Sequence, residues 1–193
     1  MKYDPDQKRE MHKKILEAVH RGFRRQGFDG AGIDGLAMDA GVTSGAFYKH
    51  FKSKADAFRE SVSLGVMEFR DAVEMFQKEH GDAWLDEFAK FYLGEKRSAE
   101  LGDSCGLQSL SPEVARSDPS TRSVFQSELL KAAKSFSDGL PLTESQNGTD
   151  STWATIALLI GGVTLARAVE DPKLADEIAN AVSHSVTGGN EIE

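Results

Sequence analysis

Between positions 33 and 54 the chain has room for two short helices and one tight turn, and for little else. Ile33, Leu36 and Ala37 repeat at the i, i+3, i+4 spacing of a helix that buries one stripe. Gly41 then breaks the pattern, at a place where a residue without a Cβ can take the left-handed backbone that reverses a chain sharply. Val42 is apolar and suits a wedge into the core. Thr43 is of the type that caps a helix N-terminus through its side-chain oxygen. A third helix is therefore expected over about 44–51, with Phe47 and Phe51, four apart, turned inward. Ser53, with Asp56 three residues on, starts a fourth in a short version of the capping box.

A longer helix, about 7–26, precedes this pair. Met11, Ile15, Ala18, Val19 and Phe23 form its apolar stripe, and Lys13, Lys14, Arg21, Arg24 and Arg25 lie mainly off it. Gly27 supplies a left-handed stop and Phe28 the apolar residue that follows such a cap. Two short helices joined by a Gly-containing turn after a longer one make a three-helix helix-turn-helix unit. Its third helix must present small or short polar groups to enter a major groove, and Ser44, Gly45 and Ala46 do so at the N-terminal end. Tyr48, Lys49 and His50 follow, where hydroxyl, ammonium and imidazole can reach phosphates. Lys54 stands beside the N-terminus of helix four, whose free N–H groups are themselves suited to phosphate.

The net charge of -8 argues against a polyanionic partner only until its distribution is read. Residues 1–54 carry eleven Lys/Arg against seven Asp/Glu, and the remainder twelve against 24. A basic N-terminal module of +4 thus precedes an acidic body of -12. The expected division is a DNA-binding domain over 1–54 and a helical body over 55–193.

The expected fold is all-α, with about nine to ten helices and few β signals. Beyond the fourth helix (to about residue 78), an aromatic amphipathic helix is expected at 83–93. A polar, turn-rich stretch follows at 94–106, then a short apolar run at 106–110. Ser111-Pro112 should open a brief helical turn, and Asp118-Pro119 a helix to about 137. Residues 138–150 read as a loop, 151–170 as a strongly apolar helix, and Asp171-Pro172 as the start of a last helix to about 184, before a frayed tail at 187–193.

The string Leu36-Ala37, Ala40-Gly41-Val42-Thr43, Gly45, Phe47-Tyr48, His50-Phe51, Ser53-Lys54 resembles the DNA-binding signature of the TetR family of bacterial repressors. Ile15-Leu16, Ala18, Phe23 and Gly27-Phe28 are similar to that family's first helix and its terminating pair. The resemblance covers about 8–62; in the body it extends only to helical layout and, more weakly, to Ser104-Cys105-Gly106-Leu107 and Leu165–Val169. It implies a dimeric repressor, bound to a double-stranded palindromic operator and released by a small-molecule effector. Two residues depart from the pattern. Gly32 stands where members carry a Ser or Thr that caps and touches phosphate, and Gly35 lies inside helix two, at a cost of roughly 1 kcal/mol against Ala. Either Gly35 is simply a weak helix residue or it allows close approach to the DNA backbone.

The resemblance also implies an effector pocket in the body. Its candidate lining is Met67, Trp84, Phe88, Phe91, Tyr92, Cys105 and Leu107, an apolar set suited to a largely apolar molecule. Aromatics at helical spacing also serve as plain core. The helix at 151–170, apolar nearly all round, needs a partner for its second face, and a second copy is the economical one. Gly161-Gly162 would allow close helix approach, and the helix at 119–137, with Val124, Phe125, Leu129, Leu130, Ala133 and Phe136, is its expected companion in a homodimer.

Other chemistries find little support. His12, His20, His50, His80 and His184 show no zinc-ligand spacing with Cys or carboxylates. Cys105, the single cysteine, excludes an internal disulfide and has no neighbouring His to activate it. No phosphate-binding glycine loop is present, so neither metal, cofactor nor enzymatic activity is expected. Asn147-Gly148-Thr149 matches a glycosylation acceptor but reads as a plain turn. The N-terminus lacks a signal-like apolar stretch, and the apolar run at 153–166 is shorter than a membrane span. A cytoplasmic protein without membrane contact is expected. The alternatives to a ligand-released repressor are a same-fold activator or regulator without a small-molecule inducer, and a helical ligand-binding module that does not touch DNA.

Overall fold

The computed structural model describes residues 5–140 and 148–188. Among the described residues there are ten α-helices and no strand. The first is α1 (Pro5–Gly30), where Gly27, at φ 69° and ψ 178°, kinks the helix at the place a stop was expected and a last turn follows to Gly30. It is followed by α2 (Ile33–Asp39), α3 (Ser44–His50) and the long α4 (Lys54–His80). The body continues with α5 (Trp84–Leu93), α6 (Glu95–Ser98), α7 (Gly106–Ala115), α8 (Pro119–Asp138), α9 (Gly148–Ala168) and α10 (Pro172–Thr187).

Local sequence explains most boundaries. Gly41 takes φ 67° between α2 and α3. Thr43 Oγ1 accepts from Ala46 N at 3.2 Å, and Ser53 Oγ from Asp56 N at 3.1 Å. The Asp56 side chain reaches back, its Oδ2 accepting from Lys52 N at 3.0 Å, which completes a reciprocal cap. Asp118 and Asp171 cap α8 and α10, each with Pro at the first helical position.

The expectation at residues 111–112 fails. Ser111-Pro112 does not open a helical turn, because α7 runs unbroken through Pro112 from Gly106. The missing Pro112 N–H leaves one turn open on an exposed side, while Leu107, Leu110 and Val114 bury the other and hold the helix. The polar stretch before it contains α6 and a 3₁₀ turn at Leu101–Asp103. Most of the expected 138–150 loop, Asn147 included, lies outside the described residues, as does the tail beyond residue 188.

Two apolar cores result. The first joins Ile15, Val19 and Phe23 of α1, Leu36 and Ala37 of α2, and Phe47 and Phe51 at α3. Ala57, Phe58 and Val62 of α4 and Leu110 and Val114 of α7 complete it. The second lies in the body, where Phe69, Trp84, Phe88, Tyr92 and Phe136 pack mainly edge to face on one another. α4 contributes to both, packing on α1 at one end and on α8 and α5 at the other.

α9 buries Ile156, Leu159, Val163 and Ala166 and leaves Leu158 and Leu165 exposed. Residues 150–168 are long and apolar enough, by length and composition, to cross a membrane, contrary to the shorter run expected. The helix packs on α10, α8, α5 and α7 along one side and leaves most of the rest of its surface open.

Candidate nucleic-acid interface and adjoining cavity

The face of α3 away from the core carries Gly45, Tyr48 and Lys49, with Ser44, Ala46 and His50 around it, all of them wholly or partly exposed. Phe47 anchors the helix from behind, and Tyr48 stands edge-on to its ring. Ser44 Oγ donates to Asp34 Oδ1 of α2 at 2.5 Å, tying the start of α3 to the helix before it. Ser44 therefore presents its hydroxyl already engaged. Sequence reasoning did not foresee this tie, since Asp34 and Ser44 meet only through the turn at Gly41.

Gly32 caps α2 in extended backbone with no side-chain hydrogen bond, and a Cβ there would meet nothing within 4 Å. The same open space surrounds Gly35. Among the described residues no neighbour requires a glycine at either place. Lys54 sits at the first position of α4 with its Nζ 4.6 Å from the centroid of the Phe28 ring, a cation–π contact that orients the ammonium. His50 packs near His12 (centroids 5.5 Å apart), and His12 Nε2 in turn meets Glu60 Oε2 at 2.7 Å. Burial, then the nearby positive potential of His12 and Lys8, lowers the His50 pKa and favours its neutral ring.

Behind this head lies a cavity of about 810 Å³, walled by α1, α4, α5 and the segment from Lys96 to Gly106. Of the aromatic set singled out in the sequence, Phe88, Phe91, Tyr92 and Cys105 line it. Trp84 and Leu107 are buried in the body core outside the lining, and Met67 is on the surface. Trp84 Nε1 donates to Gly139 O at 2.6 Å, which fixes it to the end of α8. The wall is more polar than expected, since Lys14, Glu17, Arg21, Arg24, Arg25, Asp39, Glu68, Lys96 and Asp103 contribute.

A buried polar cluster at this wall was not foreseen. Arg24 Nη1 donates to Glu68 Oε2 at 3.0 Å and to Ser104 O at 2.8 Å. His20, fully buried, meets the same Glu68 oxygen at 3.3 Å. Burial lowers the His20 pKa more than Glu68 raises it. Burial alone would raise the Glu68 carboxyl, but the hydrogen bond and charge of His20 and the charge of Arg24 hold it below its ordinary value. The available signal was the i, i+4 spacing of His20 and Arg24 beside the apolar stripe of α1. The neighbouring crossing is a glycine pair: a Cβ on Gly106 would lie 2.6 Å from Gly65 Cα and 2.8 Å from His20 Cε1.

The architecture is therefore that of a helix-turn-helix head on an all-helical body. The model of the bacterial regulatory proteins of the tetR family matches residues 15–60, the three-helix head and the start of α4. Over 51 residues the chain is 43% identical to the HTH-type transcriptional regulator AcrR of Shigella flexneri, covering 26% of this chain and 24% of that relative. The match thus spans about a quarter of that regulator's length. A TetR-family transcriptional regulator from Cytophaga hutchinsonii superposes with a TM-score of 0.78 at 15% identity, over 97% of this chain and 98% of that one. The regulator FadR from Bacillus subtilis, solved in complex with stearoyl-CoA, gives 0.69 at 16% identity, over 93% and 99%. At such identities these structures establish likeness of fold alone. The head thus matches the tetR-family helix-turn-helix in sequence, and the chain as a whole shares the fold of TetR-family regulators.

Proposed function

We propose that this protein is a cytoplasmic, ligand-responsive transcriptional repressor that binds a palindromic operator as a homodimer, with residues 1–54 as its DNA-binding unit. The observation that carries the reading is the head itself. Thr43 caps α3, Phe47 and Phe51 fix it to the core, and its small, polar and basic outer face is left to a groove. In this reading Ser44, Gly45 and Ala46 face base edges, with Asp34 aligning Ser44. Gly32, Thr43, Tyr48, Lys49, His50 and Lys54 sit toward the phosphates.

The homodimer is supported by α8 and α9. Leu130, Leu158 and Leu165 are exposed on them. Gly162 is used up against Val182 of α10, whereas a Cβ on Gly161 would meet nothing, so the outer face of α9 is free for close approach by a second copy. Two recognition helices so joined would address half-sites about one DNA turn apart. A small molecule bound in the body would shift α4, which enters both cores, and change that spacing.

Selection of bound duplexes from a random pool, followed by retarded migration on the selected sequence, tests the reading. The expected product is a palindrome bound by a dimer of the 21.0 kDa chain. Failure to retain any duplex at low salt, or a monomeric mass by light scattering at micromolar concentration, would count against it.

A further inference from the structure

The cavity's buried polar atoms say what chemistry could occupy it. Arg24 is about nine-tenths buried, and the two hydrogen bonds described above both leave from Nη1. Its Nε is buried and has no partner among the described residues. Tyr92 is 2% exposed, and among the described residues its hydroxyl has no hydrogen-bond partner beyond the weak Cys105 thiol beside it. Both side chains line the cavity. Among the described lining residues these are the buried polar atoms without a nitrogen or oxygen partner, and both are able to donate. Three of the neighbouring cations are already matched, Arg21 to Asp103 at 2.9 Å, Arg25 to Glu100 at 3.0 Å, and Lys96 Nζ to Asp103 O at 2.5 Å, while Lys14 stands exposed at the wall. Beside Arg24 and Tyr92 run the rings of Phe69, Phe88 and Phe91.

We propose that this cavity is the effector site, that its effector is an amphipathic organic acid, and that Arg24 holds the carboxylate while the aromatic wall takes the apolar body. The proposal rests on the ligand-responsive reading above and deepens it. A carboxylate is the acceptor that a guanidinium edge receives in bidentate fashion. A cavity of about 810 Å³ matches a small organic molecule. An apolar ligand without an acceptor would leave Arg24 Nε buried and unpaired and the Tyr92 hydroxyl with only a thiol.

The location gives the site a regulatory consequence. Arg24 belongs to α1, Glu68 to α4 and Ser104 to the body, so one guanidinium ties the head to both. The Glu68 side chain is 43% exposed, so it can turn to solvent. A ligand carboxylate competes with Glu68 for Arg24 and loosens α1 from α4. The acid thereby favours a head position different from that of the empty protein.

The test uses the full chain and calorimetric titration with decanoate and 2-naphthoate, against decanol and 2-naphthol as neutral counterparts. Each acid is expected to bind at least about tenfold more tightly than its neutral counterpart, the order of a charge-assisted hydrogen bond. Arg24→Gln should remove that preference while the neutral compounds bind as before. Glu68→Gln should strengthen binding of the acids. Tyr92→Phe, which keeps shape and deletes one hydroxyl, should weaken them several-fold and keeps the proposal open to refutation should Arg24→Gln fail to fold. Equal affinity for acid and neutral forms, unchanged acid affinity in Arg24→Gln or Tyr92→Phe, or no binding of either acid would overturn it. Operator retardation is measured separately. Acid binding without DNA binding sinks the regulator reading and keeps the site, and DNA binding without acid binding does the reverse.

Discussion

Two helix-interior glycines should respond to the same substitution with opposite sign. Gly35 lies in α2, and a methyl group placed on its Cα would find nothing within 4 Å, so Gly35→Ala gains only helix propensity, about 0.8–1.0 kcal/mol. Gly65 lies in α4 at its crossing with the start of α7. A Cβ there would stand 2.9 Å from Gly106 Cα, 3.0 Å from Gly106 C and 3.0 Å from His20 Cε1. Two of these are backbone atoms, and the third belongs to a ring that is itself buried, so none can swing aside. Overpacking of a close-packed site costs about 1–3 kcal/mol, which the same propensity gain offsets by about 1 kcal/mol. The two variants should therefore differ by about 1–3 kcal/mol, with Gly35→Ala at or above the parent and Gly65→Ala at or below it. For a chain of this size that is a separation of roughly 2–12 °C in Tm. Urea titration at one fixed protomer concentration is the direct assay, because a dimer's stability depends on concentration. The midpoints should separate with unchanged slope. If Gly65→Ala proved as stable as Gly35→Ala, the close α4–α7 crossing would be wrong.

Three further outcomes are expected. Stability should fall as pH drops from about 7 to about 5. His20 and His50 have lowered pKa values in the folded state, so below about 6.5 the unfolded chain takes up protons that the native chain refuses. Glu68, also lowered, loses its contribution only at more acid pH; a denaturation midpoint flat across that range, or a pH slope unchanged in His20→Gln, would contradict this. Thr43→Ala should cost about 1 kcal/mol by leaving Ala46 N–H uncapped, while Thr43→Ser should stay close to the parent in thermal unfolding. Lys54→Ala should weaken binding to all duplexes alike and reduce the salt slope by about 1, whereas Ser44→Ala should change sequence preference. A changed preference in Lys54→Ala would refute the phosphate role.

The head was legible because its signals are local. Gly41, Thr43, Ser53 and Gly27 act within a turn of themselves, through positive φ or a cap. Phe47 and Phe51 need only helical spacing to declare an inner face. The sequence signature around Ala40–Lys54 then pointed to one family, and the match over residues 15–60 supports it. Pro112 misled for the same reason, because its local preference for a helix start was outweighed by Leu107, Leu110 and Val114, whose burial is tertiary. The cavity belongs wholly to that second kind of knowledge. His20, Arg24, Glu68 and Ser104 are up to 84 positions apart along the chain and come together only where α1 crosses α4 over a pair of glycines. Capping and periodicity are written into short stretches of sequence, so residues alone settled the head and its class. Which polar atoms are buried, and which of them are left without a partner, depends on how distant helices cross, and that only the folded chain decides.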